Sequence, residues 1–239
     1  MKQTFGNVSL DKRADQGTFI ADPSALTVSG ASADIEHKPG TLYHISKRFL
    51  DIILAITGII ILLPVFLVIA VCIKLEDGGS IFHFREIIGF HQQRFFALKF
   101  RTMIPDADSY LEKHSQLLQE YRQTMKLRVD PRVTRIGKFL RRTSLDETPQ
   151  LFNVLIGQMS LVGPRMIHPS ELPRYGEYAR KRLSVTPGIT GLWQLNGRQH
   201  DSIEQRILLD MQYIDERSLL LDFSILLKTL KVFIIHTGI

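Results

Sequence analysis

Residues 52 to 73, IILAITGIIILLPVFLVIAVCI, carry no charge and hold a proline near their middle. At ~1.5 Å per helical residue such a run reaches roughly 33 Å, enough to cross a hydrocarbon core. Pro64 removes a backbone donor and clashes with the turn before it. A membrane helix over 44–76 is therefore predicted to break at Pro64, enter the bilayer and turn back. Both ends of the helix, and all chemistry after it, then lie on one face of the membrane. Lys47 and Arg48 before the run and Lys74 after it fit this re-entrant form better than a simple span. A bitopic anchor is the alternative.

The chain of 239 residues has room for one compact domain and appendages. Its formal charge of +6 suits anionic lipid headgroups, nucleotide phosphates or nucleic acid, and the apolar run favours the first two. Cys72 is the lone cysteine and lies inside that run, which excludes an intrachain disulfide. Residues 1–40 are polar, of mixed charge and without the apolar core of a secretory signal. They read as a flexible tail, with docking onto the domain as the other possibility. A tail over 1–40, a re-entrant helix over 44–76 and a domain over 77–239 make up the expected organisation.

Past Gly79 the chain turns soluble in character. IFHF (81–84) and FFALKF (95–100) are rich in aromatic and β-branched residues and predict two short strands of a hairpin. A loose apolar stripe predicts a helix over 106–127. Thr148 reads as the N-cap of a helix over 148–156, with Pro149 in its first turn. Pro187, Gly188 and Gly191 predict a loop, and 201–216 a helix. The stretch 219–235 is apolar with Ser224, Lys228 and Lys231 on one side, which suits an amphipathic helix at a membrane interface or a core helix equally.

The densest polar cluster is LRVDPRVTRIGKFLRRTSLDETPQL, residues 127 to 151. Its six cations lead into the adjacent pair Asp146–Glu147, and neighbouring positive charge is expected to lower a carboxylate pKa. An ionised aspartate attacks phosphorus when the phosphate charge is neutralised. Two carboxylates together also suit Mg²⁺, which shares its oxygen ligands with substrate phosphates. A structural explanation competes: Ser144-x-x-Glu147 is a capping-box pattern, and acids at a helix start are stabilised by the helix dipole.

KFRTM (99–103), RRTSLDETPQLFNVL (141–155), SLVGPR (160–165) and PGITGLWQLNGR (187–198) follow one another in that order. With the proline-broken helix, they resemble the monotopic bacterial sugar transferases, the polyprenyl-phosphate phosphoglycosyl transferases. The resemblance spans residues 44 to about 235. It implies a re-entrant membrane helix, interface-lying helices and a small α/β domain on the cytoplasmic face of the bacterial inner membrane. It implies that Asp146 attacks the sugar-bearing phosphorus of a UDP-sugar, releasing UMP, and that polyprenyl phosphate then takes the sugar phosphate from the aspartyl intermediate. Glu147 matches the second member of the dyad, with a metal or acid–base role, and Asp146 and Glu147 would hold Mg²⁺. Arg141 and Arg165 match phosphate contacts, Arg198 a further phosphate or nucleotide contact, and Lys99 and Arg101 a motif that serves binding or packing. Pro164 matches the turn before Arg165, and Gln194 a contact to nucleotide or lipid headgroup; Trp193 shares that reading, with core packing beside it.

The likeness is to the hexose-1-phosphate branch, acting on UDP-galactose or UDP-glucose. The implied partners are UDP-sugar, polyprenyl phosphate and membrane lipid, with no nucleic acid and with room for a homo-oligomer. Three positions depart from the family pattern: Leu63 stands before Pro64 in place of a serine, Met166 replaces a proline after Arg165, and Arg85-Glu86-Ile87-Ile88-Gly89 lacks one arginine. The eight histidines are scattered without metal-ligand spacing, and neither a P-loop nor a strand-linked GxGxxG occurs. From a different class, a membrane-anchored basic scaffold without chemistry remains the alternative function.

Overall fold

Helix α1 runs from Thr41 to Asp77 in this computed structural model, in which residues 39–124, 127–196 and 202–235 are described. The tail reading over 1–40 and the candidate Arg198 therefore fall almost wholly or wholly outside the described residues. Gly78 closes α1 with a left-handed φ of 71°, its N–H bonded to the Lys74 carbonyl. The helical assignment is uninterrupted at Pro64. Among the described residues α1 alone is long and apolar enough to cross a membrane, and 17% of its most apolar stretch is buried, too little for a core helix.

Both halves of α1 touch the same small body. Before Pro64, the Arg48 guanidinium donates to the carbonyls of Val154 (2.6 Å) and Leu155 (2.7 Å), capping the end of a helix from Gln150 to Leu155. Asp51 accepts from the Leu161 N–H at 2.9 Å, and Ala55 is wholly buried. After Pro64, Phe66, Ile69 and Ile73 pack with Phe100 and Leu140. Between these anchor points Ile60, Ile61 and Leu63 are exposed.

The body starts with the antiparallel hairpin β1 (Phe82–Ile88) and β2 (Arg94–Phe100), in register Phe82↔Phe100 to Ile88↔Arg94. The helix predicted over 106–127 is two: α2 (Ala107–Lys113) and α3 (Ser115–Thr124), separated at His114, whose φ/ψ of −116°/86° is not helical. Helix α4 (Arg135–Thr143) begins under a double cap. Thr134 Oγ1 accepts from the Gly137 N–H, and the Glu76 carboxylate of α1 accepts from the N–H groups of Arg135 and Ile136. Gly137 is required by contact: a Cβ there would lie 2.1 Å from the Thr102 carbonyl oxygen.

A single 3₁₀ turn, Leu145–Glu147, carries the two acids, and α5 (Gln150–Leu155) follows. The helix thus begins later than predicted. Thr148 lies in the turn before it with φ/ψ of −62°/−28°, and its hydroxyl donates back to the Leu145 carbonyl instead of capping. The capping-box reading of Ser144 gives way as well: Ser144 closes α4 in the left-handed region at φ 54°, and the turn after it has no side-chain cap hydrogen bond.

The segment predicted as a loop holds a strand. β3 (Ser160–Val162) pairs in parallel with β4 (Gly188–Thr190). Gly163, Gly188 and Gly191 let these backbones touch: a Cβ on Gly188 would sit 2.1 Å from the Gly163 nitrogen, and one on Gly191 2.2 Å from the Gly163 oxygen. Between the strands lie a 3₁₀ stretch and α6 (Ala179–Arg182); after them come α7 (Leu192–Asn196), α8 (Ile203–Glu216) and α9 (Leu219–Ile235). Ser202 and Gln205 form a capping box at the start of α8. Helix α9 buries Asp222 and Ile225 and exposes Leu220, Phe223, Leu227 and Leu230, so it has a core face and an apolar outer face together. Asp222 gathers the hydroxyls of Tyr43 (3.0 Å) and Tyr213 (2.7 Å) and the Lys47 ammonium (2.8 Å), tying the start of α1 to α8 and α9.

Candidate active site

A cavity of about 260 Å³ opens where the 3₁₀ turn meets β2, β4 and α7. Lys99, Arg141, Asp146, Glu147, Arg165 and Gln194 all line it, although up to 95 positions separate them in sequence. Trp193 lines it too while only 8% exposed, so packing and cavity wall are one role. Met166 and Ile189 add apolar wall that the motifs did not single out.

Local structure explains this convergence. The left-handed Ser144 reverses the chain after α4, so Arg141 in the last turn and Asp146 in the following turn face one space. Arg141 is braced by a bond from its Nε to Thr102 Oγ1 at 2.9 Å. Lys99 reaches the cavity from β2. Gln194 donates to the Ile189 carbonyl at 3.3 Å, which leaves its oxygen without a protein partner among the described residues.

Two residues read with the site lie off the cavity. Arg101, read as serving binding or packing, packs: it is 8% exposed, with its guanidinium forked over Asp77 and bonded to the carbonyls of Ser80 (2.6 Å) and Met103 (3.1 Å). Strand alternation would place Arg101 beside Lys99, but β2 ends at Phe100 and the chain turns toward the end of α1. Pro164 is buried in the cavity wall and does not line it; its carbonyl accepts the Gly188 N–H at 2.9 Å. Pro64, read as the membrane turn and not as part of this site, lies exposed on α1. The cations of 127–142 do not all converge either. Arg132 closes a two-bond clamp on Asp130, at 2.8 Å for each bond, and of the others only Arg141 lines the cavity.

The electrostatics reverse the first expectation. Asp146 is 7% exposed, and its carboxyl is pushed up to about 6, first by burial and then by the neighbouring Glu147. Lys99 and Arg141 pull the other way without prevailing. Burial also lowers the Lys99 ammonium, opposed by Asp146. The Arg165 guanidinium, lowered by burial and by Arg206, sits over the Trp193 ring at 4.4 Å, while Arg206 approaches that ring at 5.2 Å. The cavity therefore combines two adjacent acids, one with its carboxyl raised to about 6, with three cations and an aromatic platform, a setting for anionic substrates.

Sequence reading missed a buried network behind this wall. Asp210 on α8 and Arg182 on α6 are 2% and 0% exposed, and Tyr175 donates to Asp210 at 2.8 Å. One signal was present: the apolar stripe Ile203, Ile207, Met211, Ile214 of α8 carries a carboxylate at 210, where a leucine or valine would be ordinary.

A model of bacterial sugar transferases matches residues 42–236. An exopolysaccharide production protein of Sinorhizobium fredii, ExoY, is 43% identical over 198 residues, covering 81% of this chain and 88% of that protein. The undecaprenyl-phosphate galactose phosphotransferase of Salmonella typhimurium is 39% identical over 196 residues, covering 80% of this chain and 41% of that one. The undecaprenyl-phosphate glucose phosphotransferase of Komagataeibacter xylinus is 37% identical over 199 residues, covering 78% and 35% respectively. The chain thus spans less than half the length of these last two relatives.

Proposed function

The chain belongs to the bacterial sugar transferase family, and from that premise we propose that it transfers a sugar 1-phosphate from a UDP-sugar to polyprenyl phosphate, the first step in assembling an envelope polysaccharide. The observation that carries this reading is the acid pair of buried Asp146 and half-buried Glu147 at a cavity lined by Lys99, Arg141 and Arg165. Relatives named for galactose and glucose transfer favour a hexose donor.

In the proposed reaction a carboxylate oxygen of Asp146 attacks the sugar-bearing phosphorus. The O–P bond to aspartate forms as the phosphoanhydride bond breaks, and UMP leaves with the bridging oxygen and its electron pair. A phosphate oxygen of the polyprenyl carrier then attacks the same phosphorus. The aspartyl O–P bond breaks, the carboxylate is regenerated, and the lipid keeps a sugar diphosphate. Arg141 and Arg165 present planar donors that match the phosphate oxygens, and Lys99 adds a compact charge. Lys99 and Arg141 favour the ionised form of Asp146, against burial and Glu147. Arg198 remains a proposed additional contact.

Among the described residues no three acids, histidines or cysteines form a metal cage. Asp146 and Glu147 nevertheless fit Mg²⁺, which habitually binds one or two carboxylates together with substrate phosphates and water. Those two residues would hold it, and it would neutralise charge on the diphosphate when bound.

The membrane reading follows from α1. Contacts on both sides of Pro64 reach one body, with the exposed apolar Ile60, Ile61 and Leu63 between them. That supports a re-entrant helix and a domain on the cytoplasmic face of the inner membrane. It also matches the lipid-facing surface of α9.

Protein incubated with UDP-galactose or UDP-glucose and quenched before lipid is added is expected to carry a hexosyl phosphate on Asp146 by mass spectrometry. Stoichiometric UMP should appear with it. Turnover with polyprenyl phosphate but no adduct would mean direct displacement, and no nucleotide release at all would leave a scaffold. The carboxyl of Asp146 adds a pH signature. With kcat/KM measured at saturating lipid, log rate should climb with slope near one until about pH 6, then level off. A flat profile between about pH 4.5 and about 7.5 rejects Asp146 as the attacking group.

A further inference from the structure

We infer that the buried pair Asp210–Arg182 is a positioning device for Arg165, clamping its backbone so that its guanidinium faces the cavity. The inference rests on the reading of Arg165 as a phosphate-binding cation. Gly188 donates to the Pro164 carbonyl, which settles the β4 side of the segment. Arg165's own polar backbone groups face the opposite way, as alternation along an extended chain requires. There the Asp210 Oδ1 accepts the Arg165 N–H at 3.1 Å, and an Arg182 Nη2 donates to the Arg165 carbonyl. Both bonds are charge-assisted, and the two charges sit 3.8 Å apart at Arg182 Nε and Asp210 Oδ2. Tyr175 fixes the second Asp210 oxygen at 2.8 Å.

A buried ion pair contributes little stability for its desolvation cost, and apolar residues would pack the space at least as well. What apolar residues could not do is satisfy and aim both backbone groups of one residue. That residue is the one whose side chain lies over Trp193 and lines the cavity. Two helices, α6 and α8, are thereby made to set the direction of one guanidinium. The turn at Gly163-Pro164 needs no other aiming device.

Trp193 is the chain's one tryptophan, so its fluorescence reports the Arg165 stack with or without catalysis. Asp210→Asn is expected to shift the emission in the direction that Arg165→Ala does, and to add no shift in the double variant. It should also lower kcat/KM by ~10²-fold in the native background but by less than ~3-fold in the Arg165→Ala background. Wild-type emission in folded Asp210→Asn overturns the inference. So does a shift, or a rate loss, of equal size in the Arg165→Ala background, the mark of a general packing role. Should Asp210→Asn fail to fold, Tyr175→Phe removes one bond to the same carboxylate, and the same double-variant comparison applies. If the wild-type protein transfers no sugar phosphate, the proposed function fails, while the emission comparison still decides the clamp.

Discussion

Replacing Asp146 by Asn is expected to abolish sugar-phosphate transfer and to make the protein more stable. The two effects share one cause. Burial and Glu147 hold the folded-state carboxyl near 6, above its unfolded value, so the native state keeps a proton that the unfolded chain releases. Stability therefore falls as pH rises from about 4 through about 6, and above that range the ionised aspartate costs the fold ~3 kcal/mol. Asn has the same shape and never ionises. In protein stripped of divalent cations, its thermal midpoint should exceed the wild-type value at about pH 7.5, and the gap should shrink as pH falls and close below about pH 4. Nucleotide release should drop by on the order of 10⁴-fold, because no oxygen remains that can form the phosphoryl ester. An inactive variant that is less stable at neutral pH would refute the burial argument. An active one would refute the assignment of the nucleophile.

Gly188→Ala is expected to be the most damaging single methyl group in the body. The added Cβ would meet the Gly163 nitrogen at 2.1 Å, the Thr190 oxygen at 2.6 Å and the Gly163 Cα at 2.7 Å. All three are backbone atoms, so no side chain can swing aside to make room. β3 and β4 would have to part, breaking the Gly188 N–H bond to Pro164 and moving Arg165 out of the cavity wall. The loss should be at least ~3 kcal/mol, seen as a midpoint lowered by about 10 °C in detergent. Gly40→Ala, where a Cβ meets nothing within 4 Å, is the matched control. A Gly188→Ala protein as stable as that control would show that the two backbones are not in contact.

Local features of the chain were readable in one dimension, and features made by distant pairs were not. The apolar run, the β1–β2 hairpin and α8 each announce themselves through composition, alternation or a cap within a few residues. The motif residues that line the cavity were named because the four motifs occur in order, which says nothing about how they meet. β4 was read as a loop because Gly188–Thr190 is too short to show a period, and its partner is 28 positions earlier. The sign of the Asp146 shift was missed because a string of nearby cations is visible in sequence while burial is not. The choice between binding and packing for Arg101 could not be made from the motif because its partner, Asp77, belongs to another element. Asp210 serves Arg165 across 45 positions, and only its place on an apolar stripe hinted at it.

The grip of the domain on both flanks of α1 has a consequence for how the protein meets lipid. A helix that hangs free by one end settles wherever its length matches the surrounding hydrocarbon, tilting in thin bilayers and dipping in thick ones. Here Arg48 and Asp51 on one flank, and Glu76 and Asp77 on the other, fix how far Ile60 to Leu63 protrude. In the proposed re-entrant form, immersion depth would then be a property of the folded protein, and the mouth of the cavity would keep a constant height above the headgroups, whatever the acyl chains beneath it.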